Sequence, residues 1–71
     1  MDISYSHISK RDGIIASKNY NRNDVICSVK HEYFKYINKN IKSNIKIINT
    51  NVIAKNIIYV DEEIFLEYNN L

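Results

Sequence analysis

A chain with one glycine and no proline must reverse direction without the residues that ordinarily make tight turns. Asparagine and aspartate are the best substitutes, because they tolerate the left-handed backbone better than any other side-chain-bearing residue. Sharp turns here are therefore expected at Asn and Asp. The length of 71 residues allows one domain, 1–71. Folding at this size buries only about 60% of the unfolded chain's surface, so the core is marginal. No staple is available. The single cysteine excludes an internal disulfide, and no Cys/His cluster has zinc spacing. Sheet closure, a partner chain or a ligand must supply the rest. A large multi-step enzyme with its own cofactor domain is excluded.

Ile, Asn, Lys and Tyr make up 39 of the 71 residues. Their codons are A/T-rich, which points to an A/T-biased genome such as those of some large DNA viruses and some protists. Lys and Asn then often stand where other chains use Arg, Ser or Gly. The 45% hydrophobic content, much of it β-branched Ile, argues against disorder.

The net charge of +2 is segregated. Residues 1–29 carry +1, residues 30–58 carry +5, and residues 59–71 carry −4. A basic middle and an acidic tail can attract each other within the fold or bind a charged partner. A nucleic-acid binder of this size usually has a larger net charge and more Arg, which argues against nucleic acid. The N-terminus Met1–His7 lacks the basic and apolar regions of a targeting segment. No apolar run approaches a membrane span. The reading is a soluble protein of a reducing intracellular compartment, cytoplasm or nucleus, with no membrane association.

Strands emerge by pattern. Gly13-Ile14-Ile15-Ala16 is an apolar run, a polar stretch follows to Asp24, and Val25 to Val29 is apolar again. This reads as strand, turn, strand. The second half repeats it, with Val52-Ile53-Ala54, a stretch from Lys55 to Asp61, and Glu63 to Tyr68. Setting Ala16 on Ala54 aligns the halves without a gap at an offset of 38 residues. Tyr20 then falls on Ile58, Asn23 on Asp61, Asp24 on Glu62 and Ile26 on Ile64. Asn23 and Asp61 occupy the tightest point of each turn, where a left-handed residue is required. The expectation is a mostly β fold of short strands with a pseudo-two-fold repeat.

The middle admits two readings. Lys35, Lys39, Lys42 and Lys46 lie four, three and four residues apart, and Ile37, Ile41, Ile45 and Ile48 follow a similar spacing. That is the pattern of an amphipathic helix with a lysine face. Asn38, Asn40, Ser43 and Asn44 oppose a helix interior. The favoured reading is a short helical turn near 32–38, a loop, and a strand at 44–49. The rival is one helix over 32–48. Glu62 and Glu63 read as turn and surface charges, since adjacent strand residues point to opposite faces. Cys27 reads as a buried, inert thiol rather than a partner of His31.

At this level the residues resemble the SET-domain family. Gly13-Ile14-Ile15-Ala16-Ser17-Lys18, then Tyr20 and Asn23-Asp24-Val25-Ile26, is similar to that family's opening. There a glycine pair, a Val-aromatic-Ala run and a Gly-Asp/Glu turn occur in order. Ile53-Ala54-Lys55, Ile58 and Asp61-Glu62-Glu63-Ile64-Phe65-Leu66-Glu67-Tyr68 resemble the closing motif, which ends in Asp-Tyr. Between them, Asn38 and Asn44 match the two asparagines of the family's Asn-His-Ser-Cys-x-Pro-Asn stretch.

The resemblance implies a miniature SET-like, β-clip fold. It also implies methyl transfer from S-adenosylmethionine to a lysine side chain of a protein. Gly13 would let the backbone approach the cofactor, Asn38 would contact the cofactor, Asn44 would brace the loop, and Tyr68 would lie by the methyl-transfer site. A phenol oxygen there can hydrogen-bond and orient the lysine amine.

The chain departs from the family at several points. Arg11 stands for the first glycine, Lys39 for the His, Ser43 for the Pro and Leu66 for an aromatic. Only seven residues separate Val29 from Ile37, where the family carries a long insert. A second function class is therefore a catalytically inactive SET-like binding or assembly module, including association with copies of itself. A third is a small basic α+β protein whose lysine-faced helix binds nucleic acid or an acidic protein.

Overall fold

The computed structural model describes residues 1–68. Seven short strands carry the fold: β1 Asp2–Ser6, β2 Arg11–Ile15, β3 Val25–Ser28, β4 Asn38–Lys39, β5 Ile45–Ile48, β6 Asn51–Ala54 and β7 Phe65–Leu66. One 3-10 turn, Phe34–Tyr36, precedes β4. The protein is mostly β, in agreement with the strand pattern.

Three small sheets share these strands. β1 and β2 form an antiparallel hairpin with Asp2 opposite Ile15 and Ser6 opposite Arg11. β6 lies at the centre of an antiparallel sheet in the order β3-β6-β5. β4 and β7 pair in parallel, with Asn38 opposite Phe65 and Lys39 opposite Leu66. The hairpin partner β1 and the two-residue strand β4 carry too little alternation to stand out in the sequence.

The two halves interlock through their turns. Tyr20 N–H donates to Ile58 O at 2.8 Å, and Ile58 N–H returns a bond to Tyr20 O at 2.9 Å. Asn23 N–H donates to Ala54 O, and Asp61 N–H donates to Ala16 O, each at 2.8 Å. Ala16 N–H donates to Glu62 O at 2.8 Å, and Ala54 N–H to Asp24 O at 2.9 Å. Every one of these bonds maps onto another when the halves are exchanged at the offset of 38. The side chains follow the same rule. Asp24 Oδ2 accepts Asn21 N–H, and Glu62 Oε1 accepts Tyr59 N–H. The repeat read from the residues is a two-fold exchange of backbone hydrogen bonds.

Backbone geometry explains the choice of turn residues. Asn23 has φ 74° and Asp61 has φ 72°. Asn49, at φ 56°, opens the two-residue loop between β5 and β6. Among the described residues, three of the four with positive φ are thus Asn or Asp, and Lys10 in the β1–β2 turn is the fourth. The glycine-poor chain makes its left-handed turns with the side chains that tolerate them best.

The core lies where the halves meet. Ile14, Ile45, Val52, Ile58 and Ile64 are essentially fully buried, and so are Ala16 and Ala54. Burying each large aliphatic side chain contributes about 1.5–3 kcal/mol. Ile14 pairs with Val52 and Ala16 with Ala54 in the repeat, so the symmetry of the turns extends into the packing.

The rival helix over 32–48 does not form. Ile37 and Ile45 are buried, whereas Ile41 is 83% exposed, so the isoleucine row does not share one face. Asn40 Oδ1 accepts Lys42 N–H, a local bond that competes with a helical ladder. The turn at 34–36 and the strand at 45–48 match the favoured reading. With the helix goes the α+β architecture and the lysine-faced helix on which the third function class rested. Among the described residues, no helix is long and apolar enough to cross a membrane.

If the two turns are equivalent, Asn23→Val and Asp61→Val should each cost about 1–2 kcal/mol, because a β-branched residue resists the left-handed region. Asn23→Gly should stay within about 1 kcal/mol of the parent. Urea denaturation of the three variants measures this. A penalty at only one turn would contradict the equivalence.

Candidate ligand-binding cleft

The parallel pairing of β4 with β7 determines what meets at one end of the molecule. Asn40 N–H extends the ladder to Leu66 O at 2.9 Å. Tyr68, two residues beyond β7, therefore comes beside the segment that follows Asn38. The turn between β1 and β2 and the start of β2 close the other side. Together they border an open cleft of about 630 Å³, with Arg11, Lys35 and Lys39 exposed to solvent. Asn38, Lys39 and Tyr68 line it, with Arg11 from β2 and Lys35 from the 3-10 turn. Ligand sites commonly fall between about 300 and 1,000 Å³.

Asn38 is one of the few buried polar residues. Its Nδ2 donates to Asp12 O and to Glu63 Oε2, both at 3.1 Å. The side chain is thus fixed before any ligand arrives. Gly13 sits against this pair and is itself buried. A Cβ at position 13 would meet the Glu63 carboxylate and lie 2.7 Å from Asn38 Nδ2. The missing side chain makes room for the Asn38–Glu63 contact. Gly13 is adjacent to the cleft through Asn38 and is not among its lining residues.

Glu63 is a correction to the sequence reading. It is half-buried and bonded to Asn38, not a surface charge. Its neighbour Glu62 is exposed and bonds to the backbone of its own turn, as a turn residue should. The adjacent carboxylates do point to different places.

Asn44 fixes the strand that carries Tyr68. Its Nδ2 donates to Glu63 O at 2.9 Å, and its Oδ1 accepts Phe65 N–H at 2.8 Å. Its own N–H donates to Phe65 O at 3.2 Å. One side chain therefore supplies both a donor and an acceptor where β7 begins. Tyr68 is 59% exposed, so its phenol is open to solvent and to a partner.

The charge in the cleft is one-sided. Arg11, Lys35 and Lys39 come from three separate elements, and among the described residues no Asp or Glu is in the lining. Lys35 Nζ also lies 5.4 Å from the centre of the Tyr36 ring. Two like charges about 4 Å apart repel by about 4 kcal/mol at the effective dielectric constant of a protein surface. A cationic group held close to these three is disfavoured, and an anionic one is favoured. Arg11 was visible in the sequence only as a departure from a motif, and Lys39 both as such a departure and within the row Lys35, Lys39, Lys42 and Lys46. Lys35 was read as one member of a lysine row, and nothing local marked it for a cleft.

Cys27 and His31 do not form a nucleophilic pair. Cys27 is half-buried, and burial pushes its thiol up, away from the reactive thiolate. His31 is exposed, and its Nδ1 accepts Tyr33 N–H at 3.0 Å. Tyr20, at the two-fold exchange, also has its phenol raised by burial and is a core residue. His7 is exposed in the β1–β2 turn, with its ring edge-on to Tyr5. Among the described residues, no group of three or more His, Cys, Asp or Glu is arranged to hold a metal ion.

No protein-family model, curated protein or solved structure matches the chain. The cleft must therefore be interpreted from its own chemistry.

Asn44→Ala strands the Glu63 carbonyl and the Phe65 amide, so it should cost about 1–3 kcal/mol in thermal denaturation. Asn56→Ala, at an exposed position, should change stability by about 0.5 kcal/mol or less. Equal effects at the two asparagines would remove Asn44 from its bracing role.

Proposed function

We propose that the chain is a SET-like protein whose cleft takes S-adenosylmethionine and which acts on the amine of a protein lysine. The observation that carries this reading is that Asn38 and Tyr68 line one cleft, although 29 residues separate them. Asn44, the third position of the resemblance, bonds to the strand that leads to Tyr68. S-adenosylmethionine supplies, when bound, a methyl group on a sulfonium together with a carboxylate.

The residues divide that ligand by charge. Arg11, Lys35 and Lys39 suit its carboxylate. The sulfonium is assigned to the neutral side chain of Tyr68. The Tyr68 hydroxyl accepts a hydrogen bond from the incoming amine and orients its lone pair, which is a positioning and proton-handling task. Asn38, held by Asp12 O and Glu63, is a rigid wall of the same cleft. Gly13 serves by leaving space for that arrangement.

The same cations favour a second reading, a catalytically inactive SET-like module that binds a ligand or a protein partner. Three positive charges oppose both a sulfonium and a substrate lysine. The short connection from Val29 to Ile37 also leaves little chain with which to build a substrate groove.

Calorimetric titration with S-adenosylmethionine tests the first reading. Binding is expected, and Tyr68→Phe should lower methyl transfer to a lysine peptide about 10²-fold with affinity nearly unchanged. The absence of binding at millimolar cofactor would refute the first reading. Binding without transfer, insensitive to Tyr68→Phe, would select the second.

A further inference from the structure

We propose that Arg11, Lys35 and Lys39 form an oxyanion-binding site inside the cleft, which takes the phosphate of a small ligand. The inference stands on the cleft's geometry and does not rest on the methyl-transfer reading.

Three features carry it. The cations come from β2, the 3-10 turn and β4, so the fold rather than one run of sequence brings them together. They share a concave space, where overlapping positive fields reinforce each other and attract anions. Among the described residues, no Asp or Glu is in the lining. Ser9 and Asn40 add neutral hydrogen-bonding groups to the same lining.

Two carboxylates near the end of the chain already accept hydrogen bonds, one of them directly behind the cleft wall. Glu62 Oε1 accepts the Tyr59 amide in its own turn, and Glu63 Oε2 accepts the Asn38 amide beside Gly13. Asp12 and Glu67 are exposed and outside the lining set. Arginine and lysine bound to phosphate form charge-assisted hydrogen bonds, the strongest class open to these side chains. The fit is to an anion small enough to sit within about 630 Å³, either inorganic phosphate or the phosphates of a nucleotide.

The test is a titration of the intact chain with inorganic phosphate, then with adenosine diphosphate, followed by amide NMR at constant ionic strength. The expected result is saturable shifts confined to residues 8–11, 35–40 and Tyr68. Lys39→Met and Arg11→Met should each weaken binding about tenfold, the scale of one charge-assisted hydrogen bond. Lys30→Met removes an exposed charge outside the cleft and should weaken it less than about twofold. The wild-type amide spectrum checks that each variant remains folded.

Tighter binding of adenosine diphosphate than phosphate supports a nucleotide, and equal binding supports the free anion. Shifts spread over all surface lysines, or equal losses at Lys30 and Lys39, would overturn the site. Phosphate binding without S-adenosylmethionine binding would leave this site standing and remove the methyl-transfer reading. S-adenosylmethionine binding without phosphate binding would do the reverse.

Discussion

The structure depends on six backbone hydrogen bonds exchanged between two turns. Tyr20 and Ile58 bond to each other twice, Asn23 and Asp61 each reach the alanine of the other half, and Ala16 and Ala54 answer with their own amides. The single cysteine can make no internal disulfide, and among the described residues no His, Cys, Asp or Glu cluster is arranged to hold a metal ion. Reciprocal pairing holds distant segments together instead, because each turn satisfies the buried polar groups of the other. Ala16 and Ala54 are fully buried where the halves cross. Larger side chains there would hold the two backbones apart.

The cleft follows from this interlock. Once the second turn is fixed at Asp61, the chain from Glu62 onward runs back past Ile14, and Ile64 N–H donates to Ile14 O at 2.8 Å. β7 then lies parallel to β4, with Asn44 holding its first residue. Segments 11–13, 38–44 and 63–68 meet although they are scattered along the chain. Gly13 is the place where this convergence is tightest, and the one glycine of the sequence is spent there rather than in a turn.

Much of the fold was legible because symmetry repeated the signal. The pair Asn23 and Asp61 could be read as left-handed turn residues because both occupy the same place in the repeat, and glycine was too scarce to hide them. β1 was not legible, since its exposed residues and lone buried Ser6 show no apolar face. The 32–48 segment misled periodicity. Ile41 keeps the spacing of a helix but points to solvent, and the neighbouring asparagines spend their side chains on backbone groups. Of the site, the asparagines and Tyr68 were legible through the family resemblance, on which the proposed chemistry still rests. Glu63 was not, because its partnership with Asn38 spans 25 residues and leaves no local trace. The convergence of Arg11, Lys35 and Lys39 was hidden for the same reason.

Native-state hydrogen exchange tests the interlock most directly. The amides of Ala16, Tyr20, Asn23, Ala54, Ile58 and Asp61 all donate across the two halves. They should open together, with one free energy equal to that of global unfolding. If the amides at 16–23 exchange through a much cheaper local opening than those at 54–61, the turns do not depend on each other, and the account of this fold fails.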